Sequence, residues 1–280
     1  PCRYGCAEGT LHTQMKPIAL LVDTLPSWAE INEQKSAKLV FTVSPPSRSG
    51  VPGTCAYDLV VTANKDGIRV SELVPGTWLP AFCIERHINP GSTFCLYLNS
   101  EQDIQSLGQA QHWWNGLQAY LQHQQYAEKF CRWPIEAQMS HGPAAEIQLK
   151  MEEVAAEFGW KQEILAAIFR KKGWLGGKLP RLTKDGERLA NARSPCPRQC
   201  TRKHHPYRKS ACQRSACMPS CCKQHPPILR VDCPSRSGVE NLVRFEHVRR
   251  KVDALVIKEL KEEGWSCCGR MEDCPLANIN

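Results

Sequence analysis

The cysteines are distributed unevenly along the chain, and this distribution limits what the chain can fold into. Of the 16 cysteines, ten lie in residues 196–280 and two lie near the first residue, whereas only four are spread over residues 7–195. Residues 190–226 hold few large apolar residues, so this cysteine-rich stretch depends on disulfides or metal ions for its folding. The sequence therefore predicts an ordinary globular part followed by a cysteine-stabilised part.

The redox state of these cysteines follows from the compartment in which the protein works. No apolar run approaches the roughly 18 residues that a membrane helix needs, and the apolar run at residues 18–22 is shorter than a signal-peptide core. We therefore expect a cytoplasmic protein with no membrane partner. Its cysteines would then be thiols, metal ligands or nucleophiles, and the alternative is a secreted protein stapled by disulfides.

The pattern after residue 36 predicts a meander of three antiparallel strands. Residues 37–43, 57–63 and 68–74 are rich in β-branched and aromatic side chains, and turn-forming residues separate them. The turn at residues 64–67 is short enough to close a hairpin. These strands are expected to form the sheet of the globular part.

Helical periodicity replaces the strand pattern in the second half of the globular part. Apolar residues recur at helical spacing over residues 109–130, again after Pro143, and more briefly around Ile164. A further apolar stripe begins near residue 239, and Ser237 and Glu240 have the spacing of a capping box at its start. The chain is therefore expected to be an α+β protein with a helical C-terminal end.

Cys95 lies in an irregular segment between the predicted strands and the first long helix. His87 and Asn89 precede it, a turn approaches it, and an apolar run follows it. This order is typical of a nucleophilic thiol presented at the mouth of a loop. A nearby imidazole can lower a thiol's pKa, and a His or Asn side chain can instead donate a hydrogen bond to an oxyanion.

The order of elements around Cys95 resembles the ubiquitin-conjugating enzyme family, in which an antiparallel meander with flanking helices carries a catalytic cysteine. A His-Pro-Asn triplet precedes that cysteine in the family, and a Leu follows it. The matching stretch here is His-Ile-Asn-Pro-Gly-Ser-Thr-Phe-Cys-Leu at residues 87–96. In this stretch the Pro follows the Asn instead of separating it from the His, and the spacing to the cysteine is shorter.

The wider text more closely resembles the stand-alone ubiquitin-conjugating-like proteins of bacterial CBASS antiphage operons. The matching text covers residues 79–96, 114–121, 133–134 and 140–145. The resemblance implies that Cys95 carries a protein's C-terminal carboxyl as a thioester and transfers it to an amine. We expect His87 to donate a hydrogen bond to the oxyanion, and Asn89 is the second candidate for this role.

The same resemblance implies two protein partners. The protein conjugated would be a cGAS-like nucleotidyltransferase, the cyclic-nucleotide synthase of such operons. A ubiquitin-activating-like protein is the second implied partner, because this chain has no Gly-rich nucleotide loop with which to activate a carboxylate itself.

Two other interpretations of Cys95 remain open. It could be a buried structural thiol in a ubiquitin-conjugating fold that only binds partners. It could also act with His141 as the Cys–His pair of a protease or deconjugase. The other cysteines of this part lie beside large apolar residues and are expected in the core: Cys55, Cys83 and Cys131.

Cysteine spacing predicts structural zinc in the C-terminal part. Paired cysteines a few residues apart can hold one zinc ion from two turns, and iron–sulfur clusters take similar ligands. The most symmetrical set is Cys196, Cys200, Cys217 and Cys221. A second set would join the two ends of the chain through Cys2, Cys6, Cys267 and Cys274.

The net charge of +8 arises from the cysteine-rich part. Nine Lys and Arg residues and no acidic residue lie between Arg193 and Arg230, but Tyr207 is the only aromatic residue between residues 175 and 244. Stacking platforms for single-stranded nucleic acid are therefore missing. This surface is expected to dock a protein rather than a nucleic acid.

These observations predict three regions. Residues 1–160 form a ubiquitin-conjugating-like α+β domain with an antiparallel meander and flanking helices. Residues 161–194 form a helical connector, and residues 195–280 form a cysteine-rich, zinc-stabilised helical module.

Overall fold

The computed structural model describes residues 17–47, 56–65, 67–96, 104–190 and 235–277. Contacts divide the chain into two compact units, which are described separately. The first unit runs to Trp133 and includes the later segment Cys267–Cys274, and the second contains Pro134–Ser266 and Pro275–Asn280. The contact division at Trp133 differs from the domain boundary we placed at residue 160, and the boundary at residue 194 lies outside the described residues.

The first unit contains a four-stranded antiparallel sheet in the order β1-β2-β3-β4. The strands are β1 (Ala29–Lys35), β2 (Lys38–Val43), β3 (Tyr57–Asn64) and β4 (Gly67–Glu72). The predicted meander is confirmed as β2 to β4, but the prediction missed β1. The sequence of β1 is mostly polar, and none of its residues is fully buried, so it lacks the apolar alternation by which strands are recognised.

Two helices complete the described core of the first unit. They are α1 (Pro17–Asp23) and α2 (Leu107–Phe130), which confirms the long helix predicted there. Trp114 of α2 is fully buried, and its ring nitrogen donates a 3.0 Å hydrogen bond to the carbonyl of Leu21. Its ring also lies edge-on to that of Phe41 at 5.3 Å. This one side chain therefore joins α1, α2 and the sheet.

The described residues of the second unit form three α-helices. They are α3 (Ala144–Ala156), α4 (Lys161–Arg170) and α5 (Arg236–Glu262), and each corresponds to a predicted helix. Buried apolar side chains from all three form one cluster, which includes Met151, Ile164 and Leu242. We assigned α3 and α5 to different domains, but α3 packs against α5 because both present apolar faces to this cluster.

The predicted capping box at the start of α5 is wrong. The helix begins at Arg236, so Ser237 lies inside the first turn. The Glu240 carboxylate instead accepts hydrogen bonds from the backbone N–H of Leu189 and the side chain of Arg236, both at 3.0 Å. A distant contact with Leu189 and an i,i+4 ion pair with Arg236 therefore take the place of the capping box. In the described ranges, no helix is both long enough and apolar enough to cross a membrane.

Candidate active site

The chain that leaves β4 is held by a buried carboxylate. Glu72 is 3% exposed, and its two oxygens accept hydrogen bonds from the backbone N–H groups of Gly76, Trp78 and Leu79 at 3.0, 2.8 and 3.2 Å. These bonds fix a tight loop directly after the edge strand. The segment that follows therefore starts from a defined position.

That segment, the Cys95 loop (residues 83–95), folds back on itself twice. Cys83 and Ile88 exchange backbone hydrogen bonds of 3.2 and 3.0 Å around a short 3-10 turn. Ile88 then bridges to Phe94, whose N–H donates to the carbonyl of Val70 in β4 at 2.8 Å. The loop is therefore an extension of the sheet edge, and Cys95 is the residue just beyond the last contact with β4.

The Cys95 loop is fixed to α2 by an arginine that the sequence reasoning did not single out. Arg86 is fully buried, and its guanidinium donates to the Gln124 side chain at 2.7 Å and to Glu128 at 2.8 Å. The Gln124 amide returns a 2.8 Å hydrogen bond to the Arg86 carbonyl. Tyr120 donates its hydroxyl to the carbonyls of Arg86 and His87, both at 3.2 Å. These contacts clamp the loop on the side chains of one helix.

The structure brings the three predicted catalytic residues onto this one loop. The N–H of Cys95 donates to the carbonyl of His87 at 2.8 Å. His87 has a left-handed backbone with φ of 54°, and its ring lies 5.1 Å from that of Trp133. Asn89 is exposed, and its N–H closes the turn to Thr93 at 2.8 Å. The fold therefore places a thiol and two side chains that can donate hydrogen bonds within one loop.

The Cys95 thiol is half-buried, and this burial raises its pKa above the ordinary value. Removal from water disfavours the charged thiolate. This direction is opposite to the one expected if His87 lowered the thiol pKa, and it favours a role for His87 as a hydrogen-bond donor. Any attack by this sulfur therefore requires removal of the thiol proton.

A second pair of sulfurs lies in the same unit. The Sγ atoms of Cys268 and Cys83 lie 3.0 Å apart and share a hydrogen bond, and Cys83 is 1% exposed. The hydrogen bond with Cys268 and burial both raise the pKa of Cys83, whereas the same bond lowers the pKa of Cys268. Cys83 is confirmed as a core cysteine, but Cys131 is exposed at the C-terminal end of α2, so its predicted core position is wrong. Cys55 lies outside the described residues.

The predicted zinc ligands fall mostly outside the described ranges. Within the part of the chain that the structure describes, no three His, Cys, Asp or Glu side chains are grouped as ligands of one metal ion. Cys267 accepts a 3.3 Å hydrogen bond from the N–H of Gly269, and Cys274 is buried. The other six lie outside the described residues: Cys2, Cys6, Cys196, Cys200, Cys217 and Cys221. The zinc prediction therefore stays a prediction.

His141 belongs to a polar network of the second unit. Its ring Nδ1 lies 2.9 Å from Oδ1 of Asp253, which also accepts the His141 N–H at 3.0 Å. Burial raises the pKa of Asp253, but its hydrogen bonds with His141 outweigh this effect and lower the pKa. Nearby, Arg249 donates to Ser140 at 3.0 Å and to Glu246 at 2.7 Å. These contacts join α5 to the chain that enters α3, which is a structural role.

Comparison with known proteins identifies the region that carries the Cys95 loop. Residues 28–135 match the family model of the prokaryotic E2 domain. Searches of curated proteins and of solved structures give no match. The matched region contains all four strands, the Cys95 loop and α2. The region that carries the sheet, the Cys95 loop and α2 is therefore similar to a prokaryotic E2 domain.

This result confirms the coarse prediction made from sequence. Residues 28–135 are similar to a prokaryotic E2 domain, and the mixed α+β architecture, with an antiparallel sheet flanked by helices, fits an E2-like fold. The match supports a ubiquitin-conjugating-like role and a conjugating enzyme in general.

Proposed function

We propose that the protein is a cysteine-dependent conjugating enzyme that works through Cys95. The sulfur of Cys95 accepts the C-terminal carboxyl of a protein as a thioester and then passes it to an amine. One observation carries this proposal: Cys95 lies within the E2-matched region, at the end of a loop that buried polar side chains hold in place.

The raised pKa of Cys95 suits a carrier of this kind. A thiol of high pKa is a poor leaving group, so its thioester resists attack by water. During loading, the thiol loses its proton as its sulfur attacks the incoming carbonyl. During transfer, an amine attacks the same carbonyl, the carbon–sulfur bond breaks, and the departing thiolate takes up a proton. Slow spontaneous hydrolysis preserves the carried group until the acceptor arrives.

Both steps pass through a tetrahedral intermediate with a negatively charged oxygen. A side chain that donates a hydrogen bond to this oxygen lowers the barrier most when its position is already fixed. We assign this role to His87, whose backbone is held by Tyr120 and whose ring lies against Trp133. Asn89 is the second candidate, on the exposed turn of the same loop.

The partners are proposed from the sequence resemblance. The conjugated protein is a cGAS-like nucleotidyltransferase of a CBASS antiphage system, and conjugation primes its cyclic-nucleotide synthesis. A ubiquitin-activating-like protein supplies the activated carboxyl, since this chain has no Gly-rich nucleotide loop.

Co-expression with a cGAS-like nucleotidyltransferase and a ubiquitin-activating-like protein from such an operon tests this proposal. Intact mass measured with and without reductant should show a reductant-sensitive adduct on the wild type and none on Cys95→Ala. Cys131→Ala is the matched control, because Cys131 is exposed in the same unit but lies outside the Cys95 loop. An unchanged adduct on Cys95→Ala would refute the carrier role. Full phage defence by that variant would favour a protein that only binds partners.

We also propose that zinc stabilises the cysteine-rich part, with residues 196–222 as its main source of ligands. A thiolate set binds zinc tightly enough to supply folding free energy that a small core lacks. Elemental analysis of the purified chain should find zinc. Visible absorbance together with iron would instead indicate an iron–sulfur cluster.

A further inference from the structure

Two cysteines that are distant in sequence lie sulfur to sulfur in the first unit. Cys83 and Cys268 are separated by 185 positions, yet their Sγ atoms are 3.0 Å apart. Cys83 opens the Cys95 loop and is 1% exposed, whereas Cys268 is half-buried. One sulfur is therefore shielded, and the other is reachable from solvent.

The approach of the two sulfurs is supported by contacts on either side. Cys268 belongs to the return segment (Cys267–Cys274), which comes back to the first unit from α5. The N–H of Glu272 donates to the carbonyl of Cys131 at 2.8 Å, and its carboxylate pairs with Arg132. Arg270 lies 3.5 Å from Glu128, the same carboxylate that pairs with Arg86. The segment is therefore anchored at several points on the C-terminal end of α2.

We propose that Cys83 and Cys268 form a redox-active pair, which a peroxide oxidises to a disulfide that ties the return segment to the base of the Cys95 loop. The two sulfurs, 3.0 Å apart, need to approach by only about 1 Å to reach the disulfide bond length. No group in the proposed transfer reaction uses either sulfur, so this inference does not depend on that reaction.

The chemistry balances with hydrogen peroxide as the oxidant. The Cys268 thiolate attacks one peroxide oxygen, which forms a sulfur–oxygen bond, breaks the oxygen–oxygen bond and releases hydroxide. The Cys83 thiol then attacks the sulfur of this sulfenic acid, loses its proton and displaces a second hydroxide. The proton that Cys268 released on ionising and the proton from Cys83 convert the two hydroxides into two waters. Each sulfur loses one electron, and the peroxide gains two. Thiol reductants reverse the bond by exchange.

Oxidation has a defined structural consequence. Cys83 is bonded through its backbone to Ile88, and Ile88 bridges to Phe94, which precedes Cys95. A disulfide at Cys83 therefore fixes one end of the Cys95 loop covalently to the return segment, in addition to the clamp by Arg86. The full chain should resist unfolding more strongly when the pair is oxidised, because the bond closes a long loop of the unfolded chain.

Tryptic peptide mapping tests the proposal on the full-length protein. The chain is treated with limiting hydrogen peroxide, remaining thiols are blocked with N-ethylmaleimide, and the digest is analysed without reduction. Cleavage after Lys and Arg places Cys83 alone in residues 70–86, Cys95 alone in residues 87–129, and Cys267 with Cys268 in residues 262–270. The expected product is a reductant-sensitive link between residues 70–86 and 262–270.

Neighbouring cysteines supply the matched controls. Cys268→Ser should abolish the link, whereas Cys267→Ser should retain it, and this contrast is decisive even where Cys83→Ala fails to fold. A link that survives in Cys268→Ser or disappears in Cys267→Ser would overturn the assignment. Absence of any link to residues 70–86 in the oxidised wild type would overturn the proposal. So would a zinc ion, seen by native mass measurement, that both Cys83→Ala and Cys268→Ser lose.

Discussion

Each unit of this protein buries an arginine, and the two arginines hold different parts of the structure together. Arg86 in the first unit fixes the backbone of an irregular loop to the side chains of α2. Arg249 in the second unit is bonded to Glu246 of its own helix and to Ser140 before α3. The first arrangement positions a loop that carries a thiol, and the second joins regular elements. The buried arginine of the first unit therefore holds an irregular segment that regular hydrogen bonding does not fix, whereas that of the second unit does not.

The largest expected effects come from removing these arginines. Arg249→Ala leaves the buried Glu246 carboxylate with fewer partners, and it should lower the free energy of unfolding by about 3–5 kcal/mol. Arg86→Ala should cost about 2–4 kcal/mol, because Glu128 is half-exposed and regains water. Urea denaturation followed by fluorescence measures both losses.

The proposed difference between Arg86 and Arg249 is tested by the reactivity of the Cys95 thioester in these two variants. Single-turnover discharge of the Cys95 thioester, expressed per folded molecule, should be slower in Arg86→Ala and unchanged in Arg249→Ala. Arg86→Lys retains the charge but loses the planar fork, so it should be intermediate. Equal discharge rates in Arg86→Ala and Arg249→Ala would mean that Arg86 is only structural.

The two histidines allow a sharper test of the same contrast. His87→Asp tolerates the left-handed backbone but offers no N–H donor, and it should slow discharge by about 100-fold. His87→Asn restores a donor at the same backbone position and should recover part of this rate. His141→Asn should leave discharge unchanged. Loss of activity in His141→Asn alone would favour the Cys–His hydrolase interpretation.

Substitution of Tyr120, which donates to the Cys95 loop, should have a smaller effect than substitution of the arginines or His87. Tyr120→Phe removes a hydroxyl that donates to two loop carbonyls, and it should cost about 1 kcal/mol of stability. Tyr126→Phe is the matched control on the same helix. Discharge of the Cys95 thioester should slow modestly in Tyr120→Phe and remain unchanged in the control. Equal effects in both variants would show that the Tyr120 hydroxyl does not position the Cys95 loop.

The sequence predicted the regular parts of the fold better than the contacts that join them. Strands β2 to β4 and helices α2 to α5 have clear periodicity, and Cys95 stood out because it lies in an irregular segment between the sheet and α2. Strand β1 was missed because its polar sequence resembles a surface loop. The burial of Arg86 and the return of Cys268 to Cys83 depend on pairings 38 and 185 positions apart, which local patterns do not encode.

Thiol reactivity as a function of pH compares Cys95 with Cys268 inside the first unit. The alkylating form is the thiolate, so a raised pKa slows alkylation at a given pH and a lowered pKa speeds it. Iodoacetamide at pH 7 should therefore modify Cys268 before Cys95. As the pH is raised further, the alkylation rate of Cys95 should continue to increase at pH values where that of an ordinary thiol is already constant. In Cys83→Ala, iodoacetamide should modify Cys268 more slowly at pH 7, because the hydrogen bond that lowers the pKa of Cys268 is lost. Faster modification of Cys95 than of Cys268 at pH 7 would contradict these pKa directions.

The central claim, that Cys95 carries an acyl group, is tested most directly by replacing its sulfur with oxygen. In the co-expression system, Cys95→Ser should form an oxygen ester that survives reductant, whereas the wild-type adduct should be released by the same treatment. The adduct should map to residues 87–129 in both proteins. An adduct that stays reductant-sensitive in Cys95→Ser, or that maps to another peptide, would contradict the account.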